Sequence, residues 1–227
     1  MKLLPLFVLA FCCSAHAQDS AIILKAGMSI NESISITDLY EYPQFVYGKV
    51  LFKPGDSSAG RLNYNRLLAQ MQFIDFKGDT LNIADPGTIK SIHVNKDLFY
   101  YDNGYVKLIK DNNTIKLAIK QTLQFVDKKK TGAYNMTSST SAIDSYGSYA
   151  IDGKTYKLLP REDIVLKKQT QYYFGDKFNH FILANKKNLL RLYSKQEGSL
   201  NAYLKENNID FTSQEDLEKL LQYLANL

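Results

Sequence analysis

The side chains most often used for catalysis and metal binding are scarce in this sequence. Its 227 residues include three histidines and two cysteines, Cys12 and Cys13. A transition-metal site needs several such ligands clustered at fixed spacing, and no such spacing occurs. His93 alternates with the apolar residues of a predicted strand, so we expect it at the surface, and we expect His180 in "FNHFIL" to be a hydrogen-bonded structural residue. The sequence therefore predicts no metal site and no histidine base.

Carboxylates are more numerous, and two pairs could act as a general acid and a general base. Asp75 lies four residues before Asp79, and Glu162 is adjacent to Asp163. Both pairs stand beside turn signals, which gives them an ordinary structural role, and sequence spacing cannot set the separation that acid–base catalysis needs. No phosphate-binding glycine loop, G-x-S-x-G elbow or calcium loop occurs. The sequence favours a non-catalytic protein, and an enzyme working with carboxylates alone is a third hypothesis.

Tyrosines and lysines are the remaining candidates for binding a ligand. The chain has 16 Tyr, 12 Phe and no Trp. The absence of Trp argues mildly against a carbohydrate-binding platform, although Tyr can replace it. In "LFYYDNGY" and "QYYF" adjacent tyrosines lie on opposite faces of a strand, so one of each pair should be exposed. The predicted ligand or partner surface consists of Tyr100, Tyr101, Tyr172, Tyr173, Lys167 and Lys168.

Charge is unevenly divided over the second half of the chain. Residues 154–195 contain ten Lys or Arg and three Asp or Glu, whereas residues 196–227 contain two and six. We prefer the interpretation that the acidic segment lies over the basic one, although exposed ion pairs stabilise little. The alternative is a basic face, including Lys167 and Lys168, directed at lipid headgroups or acidic glycans. The net charge of +5 is too small to indicate nucleic-acid binding.

The elements that must position these residues read mainly as strands. From residue 45 onward, short alternating segments are separated by turn signals at roughly ten-residue spacing. This pattern predicts an antiparallel β domain over residues 21–177, a meander that is barrel-like or folded as a sandwich. Asn103-Gly104 is the best hairpin signal, and "KGD" at 77–79 indicates a three-residue turn. The segment "NRLLAQMQF" at 65–73 fits a strand, and a helix is the alternative because its apolar residues also match helical spacing.

Two later segments change character. Residues 128–153 are rich in Ser, Thr and Gly, which is typical of a surface loop or domain boundary, and the alternative is a mobile lid that carries tyrosines. Residues 178–227 predict a helical tail packed on the β domain. Its clearest helix has Leu217, Leu220, Leu221 and Leu224 at i, i+3, i+4 and i+7. Either Thr212 or Ser213 begins that helix with a capping-box pattern.

The N-terminus predicts export. Lys2 precedes an apolar run that is too short to span a bilayer, and Ala15-His16-Ala17 matches the small-x-small pattern of a signal-peptidase site. We therefore expect residues 1–17 to be a signal peptide, cleaved after Ala17. Lipidation of a cysteine at position 12 or 13 is less favoured, because the preceding residues are not small. Cleavage would leave a mature chain with no cysteine and hence no disulfide.

Three stretches carry a resemblance to a known group. The tail "YLKENNIDFTSQEDLEKLLQYL", with "NKKNLLRLY" upstream and "LNYN" followed by "MQFIDFKGDTL" in the front half, resembles uncharacterised secreted proteins of Bacteroidota. Together these stretches cover about a quarter of the chain. The resemblance implies an exported periplasmic or extracellular protein, and it carries over no catalytic residue.

These observations predict an exported cell-envelope protein that binds a ligand or a partner and catalyses no reaction. The partner would be an envelope protein, a glycan or a lipid, with no nucleic acid, no cofactor and no transmembrane segment. The alternative is a periplasmic carrier of a lipid or other apolar ligand inside a partly closed β-barrel. That alternative requires an apolar interior larger than side chains can fill.

Overall fold

The computed structural model describes residues 21–126, 160 and 163–227. Its strands form one antiparallel sheet that does not close into a barrel, and helices follow it, which confirms the predicted fold class. The eleven strands are β1 (Ile22–Leu24), β2 (Val46–Phe52), β3 (Ser57–Asn65), β4 (Gln70–Ile74), β5 (Thr80–Asn82), β6 (Ile89–Val94), β7 (Asp97–Tyr101), β8 (Tyr105–Asp111), β9 (Lys116–Phe125), β10 (Ile164–Gly175) and β11 (Phe181–Leu183).

Two meanders share this sheet. Strands β2 to β5 form one, β6 to β10 form the other, and the β2–β6 pair joins them. Asn103 and Gly104 both have positive φ, at 52° and 130°, and turn the chain from β7 into β8 as the dipeptide predicts. Gly78, at φ 90°, turns β4 into β5. In the segment 65–73, residues 66–69 form a turn and residues 70–73 belong to β4, so the strand prediction is confirmed for the second part and the helical alternative is wrong.

The sheet is strongly rolled. The Leu123 amide in β9 donates a hydrogen bond of 2.9 Å to the Arg66 carbonyl just after β3, although four strands separate β3 from β9 in the sheet order. Large side chains fill the interior of this roll: Tyr64 lies 6.1 Å from Phe99 and 6.4 Å from Tyr105 between ring centroids. The core is therefore a packed apolar cluster made by both meanders.

Five α-helices lie outside the sheet in the described residues: α1 (Ile30–Ser33), α2 (Ile36–Leu39), α3 (Lys186–Leu192), α4 (Glu197–Glu206) and α5 (Gln214–Leu224). Short 3₁₀ turns occupy Pro86–Thr88 and Ser194–Gln196. The Ser213 hydroxyl caps α5 by accepting the Asp216 amide at 3.3 Å, in agreement with one of the two predicted caps. Asn208 adopts φ 51° between α4 and α5, which stops the preceding helix.

The C-terminal helices pack onto the sheet rather than standing apart. Leu117 of β9 and Phe174 of β10 share one buried cluster with leucines of all three helices: Leu189, Leu200, Leu204, Leu217, Leu220, Leu221 and Leu224. The four leucines predicted for α5 are all buried. A separate small hydrophobic cluster packs α1 and α2 against the other end of β9 and β10.

Several predicted ranges are only partly covered by this description. Strand β11 lies inside the range predicted as the tail, because it pairs with the end of β10. The predicted signal peptide at 1–17 and the loop at 128–153 lie outside the described residues. None of the helices in the described ranges is long and apolar enough to cross a membrane.

Candidate functional site

A polar cavity opens where four separate segments of the chain meet. We call it the loop cleft. It has a volume of about 410 Å³ and is lined by Lys53, Ile89, Lys90, Tyr100, Tyr101, Asp102, Phe178, Asn179 and His180. These residues come from the end of β2, the start of β6, the β7–β8 turn and the turn between β10 and β11, which we call the 176–180 turn. Its size falls within the usual range of small-molecule sites.

Backbone geometry brings the two lysines of the loop cleft together. The Lys53 amide donates a 2.8 Å hydrogen bond to the carbonyl of Thr88, which ties the end of β2 to the start of β6. Where β2 pairs with β6, the register moves from Leu51↔Ser91 to Phe52↔Ile89 and leaves Lys90 as the extra residue of a β-bulge. Bulges re-aim side chains and are common beside functional sites.

Asp176 holds the 176–180 turn in shape. One of its carboxylate oxygens accepts the amides of Phe178 and His180 at 2.8 and 2.9 Å, and the other lies 3.3 Å from the His180 Nδ1. Burial raises the pKa of Asp176, but these hydrogen bonds outweigh it and hold that pKa below its usual value. The turn is therefore fastened by a carboxylate that is ionised at neutral pH.

Asp102 fastens the opposite wall of the cleft. Its Oδ2 accepts the Phe181 amide at 2.7 Å, which joins the β7–β8 turn to β11. The Phe181 ring packs on Tyr100 with centroids 5.6 Å apart. A Cβ on Gly175 would stand 2.4 Å from that same ring, so only glycine permits this close approach.

The side chains that line the loop cleft carry a formal surplus of one positive charge, because they include Lys53 and Lys90 but only one carboxylate, that of Asp102. Asp102 accepts a backbone amide, whereas Lys53 and Lys90 are exposed and form no ion pair within the described residues. Phe178 adds an aromatic face that is 69% exposed, with the Lys177 ammonium 5.0 Å from its ring centroid. Two ammonium groups beside aromatic rings suit an anionic ligand that also presents an apolar face.

A second cavity, which we call the helix-side cavity, adjoins the loop cleft. It measures about 330 Å³ and is lined by Thr114, Ile115, Phe174, Gly175, Asp176, His180, Ile182, Arg191, Leu192 and Tyr193. His180 lines both cavities, whereas Phe178 and Asn179 line only the loop cleft and Asp176 lines only the helix-side cavity, so the 176–180 turn separates them. Arg191, in the last turn of α3, is exposed and forms no ion pair in the part of the chain that the structure describes.

The structure brings together two of the six residues that the sequence singled out. Tyr100 and Tyr101 line the loop cleft, and both are half-buried. Burial, with a smaller effect of Asp111, raises the pKa of Tyr100, so its hydroxyl is protonated at neutral pH.

The other four lie elsewhere on β10. Tyr172 is buried in the cluster under the helices, and Tyr173 is half-buried with its hydroxyl donating to Gln171 at 3.1 Å. Lys167 and Lys168 are exposed and pair across to β9. They lie roughly 25 Å along the strand from its cleft end, at about 3.3 Å per residue.

Sequence reasoning missed the lysines and the aromatic residue that line the cleft. Lys53 precedes a Pro-Gly turn and Phe178 lies in a turn between two strands, so the signal available was their place beside turns. His180 does contact a hydrogen-bond partner, as expected, but it is also exposed at both cavities. His93 is exposed on β6, as predicted.

Glu41, Arg66 and Lys107 form a charged cluster inside the fold. One Glu41 oxygen lies 2.7 Å from the Arg66 guanidinium, and the other accepts a hydrogen bond from the Lys107 ammonium. Arg66, only 5% exposed, also donates to the backbone carbonyl of Thr37 at 2.9 Å. The cluster therefore anchors the segment after α2 to the rolled sheet and leaves no open carboxylate for chemistry.

One member of each candidate acid–base pair has a structural role in the described residues. Asp75 accepts the amides of Lys77 and Asp79, both at 2.8 Å, within the β4–β5 turn. Asp163 accepts the Ala26 amide at 2.9 Å, and its neighbour Glu162 lies outside the described residues. Over the described ranges, no three His, Cys, Asp or Glu side chains lie close enough to hold a metal ion.

An apolar cavity of about 210 Å³ lies at the meander of β2 to β5, bordered by Val50, Phe52, Leu62, Phe73 and Ile83 among others. At about 30 Å³ per water molecule, it has the volume of roughly seven waters, which is small for a lipid chain. The carrier hypothesis would need a larger apolar interior, and aromatic side chains fill the inside of the roll.

Comparison with known proteins adds no assignment: no protein-family model, no curated protein and no solved structure matches the chain. Any functional conclusion therefore depends on the geometry of the cleft.

Proposed function

We propose that this protein is an exported, non-catalytic binding protein of the cell envelope, and that the loop cleft is its ligand site. The observation that carries the proposal is the convergence of Lys53, Lys90 and exposed aromatic rings on one open cavity of about 410 Å³. Four chain segments build this cavity, and they are held in place by backbone amides that donate hydrogen bonds to the carboxylates of Asp102 and Asp176. A preformed concave site with a few convergent polar groups is the usual form of a ligand site.

The chemistry of the cleft supports binding rather than catalysis. A general acid needs a carboxyl group whose pKa is raised toward neutrality. The pKa of Asp176 is lowered instead, because backbone amides stabilise its ionised form. The carboxylates of Asp102 and Asp176 accept backbone amides that hold the loops in place, and the exposed lysines supply the positive charge that a ligand meets.

The place of the protein in the envelope is proposed from the predicted signal peptide at 1–17 and from the resemblance to secreted proteins. The carrier alternative has less support, since the apolar cavity at Val50 is small. Mass analysis of the chain recovered from an envelope fraction tests export directly: cleavage after Ala17 leaves Gln18 as the first residue, whereas an uncleaved chain would contradict the proposal.

A titration with small ring-bearing anions tests the ligand site. The probes are benzoate, D-glucuronate and D-glucose 6-phosphate, each beside a neutral counterpart, benzamide or D-glucose. We expect at least one anion to shift the backbone amide resonances of Asp102, Asn179 and His180, and its neutral counterpart to shift them little.

A matched pair of variants makes the test specific. Lys53→Ala with Lys90→Ala removes the two cleft ammonium groups, and Lys167→Ala with Lys168→Ala removes two exposed charges from the far part of β10. Charged hydrogen bonds contribute about 1.5 kcal/mol or more each, so the first variant should bind the anion at least tenfold more weakly. The second should bind within about twofold of wild type. Equal losses in both variants, or no shift at the cleft with any probe, would refute the proposal.

A further inference from the structure

Building on the proposed function, we infer that the natural ligand is an acidic oligosaccharide chain that crosses the 176–180 turn and occupies both the loop cleft and the helix-side cavity. This names the chemical class of the ligand and adds a second subsite. The inference depends on the loop cleft being a ligand site.

The two cavities are neighbours that share a wall. His180 lines both, Asn179 and Asp176 of the same turn line one cavity each, and the two volumes are about 410 and 330 Å³. Each is as large as a small-molecule site by itself. A ligand that fills one cavity can therefore extend past His180 into the other, which requires a chain of at least two units rather than one compact molecule.

A cationic side chain stands at both ends of this path. Lys53 and Lys90 line the loop cleft, and Arg191 lines the helix-side cavity. All three are exposed and have no ion-pair partner among the described residues. An arginine fork binds a carboxylate or a sulfate through two parallel hydrogen bonds. Acidic groups that repeat along the ligand would meet a cation in each cavity, which a single acid could not do.

Ring-binding surfaces accompany these cations. Phe178 is 69% exposed in the loop cleft, and Tyr100 and Tyr101 lie beside it. Tyr193 is half-buried in the helix-side cavity. Sugar rings have an apolar C–H face that packs on aromatic rings and hydroxyls that bond to polar side chains, and Asn179 at the cleft supplies a side-chain amide. Aromatic faces and cations in both cavities favour an acidic saccharide over an acidic polypeptide.

Substitution of Arg191 tests the second subsite separately from the loop cleft. It lines only the second cavity, so Arg191→Ala should spare binding of a monosaccharide acid and remove only the advantage of a longer chain. Arg61→Ala is the matched control, because Arg61 is an exposed arginine on β3 outside both cavities.

The experiment is isothermal titration of the mature protein with galacturonate oligomers of one to six units. Maltohexaose serves as the neutral control, and hexaglutamate serves as the polypeptide control. We expect affinity to rise at least tenfold between the monomer and the tetramer, hexaglutamate and maltohexaose to bind at least tenfold more weakly than the tetramer, and Arg191→Ala to abolish the rise. Arg61→Ala should keep it.

Three results would overturn the inference, and each has a different consequence for the proposed function. A monomer that binds at the loop cleft with no gain for longer chains would refute the second subsite while the proposed function stands. Hexaglutamate binding more tightly than the oligosaccharides would replace the saccharide with a polypeptide ligand. The absence of binding by every acidic probe, with no shift of the cleft resonances, would refute the proposed function as well.

Discussion

Leu220 tests whether the C-terminal helices and the sheet fold as one unit. Its side chain is fully buried in α5, in the cluster that also contains Leu117 of β9 and Phe174 of β10. Leu220→Ala removes buried methyl groups and leaves a cavity, which destabilises a packed core by about 2–5 kcal/mol. With about 3 kcal/mol lost, and 2–4 °C per kcal/mol in a chain of this size, we expect the Tm to fall by about 6–12 °C.

Gln222→Ala is the control in the same helix, because Gln222 is exposed and surface substitutions usually change stability by less than about 0.5 kcal/mol. The chain has no tryptophan, so unfolding should be followed by far-UV circular dichroism and by tyrosine fluorescence. We expect both signals to shift together in Leu220→Ala. Hydrogen exchange at the β9 and β10 amides should accelerate in the same variant.

Two outcomes would refute this reasoning. A Tm no lower than that of Gln222→Ala would mean that the α5 leucines are not packed in a core. An early loss of the helical signal with unchanged protection of β9 and β10 would mean that the helices fold separately from the sheet. Truncation after Gln196 extends the test, since it removes α4 and α5 and should lower the Tm further than Leu220→Ala.

Two other predictions follow from the charged groups. Glu41→Gln leaves Arg66 buried without its counter-ion, so urea denaturation should show that the free energy of unfolding falls by about 3 kcal/mol. This value is at the lower end of the usual range because Lys107 is partly exposed. A decrease below about 0.5 kcal/mol would contradict the anchoring role of the cluster. The pKa of Asp176 is lower in the folded chain than its ordinary value of about 3.9, so the stability it contributes is present above that value and is lost as the pH falls through the folded pKa. In an NMR titration, the resonances of the Asp176 carboxyl carbon and of the His180 amide should therefore shift together, with a midpoint below about pH 3.9. A midpoint at or above that ordinary value would show that the hydrogen bonds of the turn do not form.

Local patterns in the sequence predict the elements well because their causes are local. Asn103-Gly104 turns the chain since both residues tolerate positive φ. The period of the α5 leucines selects the helix face that becomes buried. The capping role of Ser213 also follows from its immediate neighbours. Each of these features depends on residues that are close together in the sequence.

The loop cleft could not be predicted in the same way. Lys53, Lys90 and Phe178 are far apart in the sequence. Lys53 and Lys90 meet because β2 pairs with β6 across the two meanders, and the hydrogen bond between Asp102 and Phe181 ties the chain just after Phe178 to the β7–β8 turn. The alternation of apolar and polar residues along a strand does not determine which distant strand it pairs with. Tyr172 shows the same limit, because its face of β10 is buried by helices that begin only after β11.

The most direct test of the ligand site is a crystal structure of residues 18–227 with the tightest-binding acidic probe at saturating concentration. We predict an anionic group of the probe within about 3 Å of the Lys53 or Lys90 ammonium, and a ring of the probe against Phe178. A probe that instead lies on Lys167 and Lys168 of β10, with no density in the loop cleft, would contradict the assignment of the site.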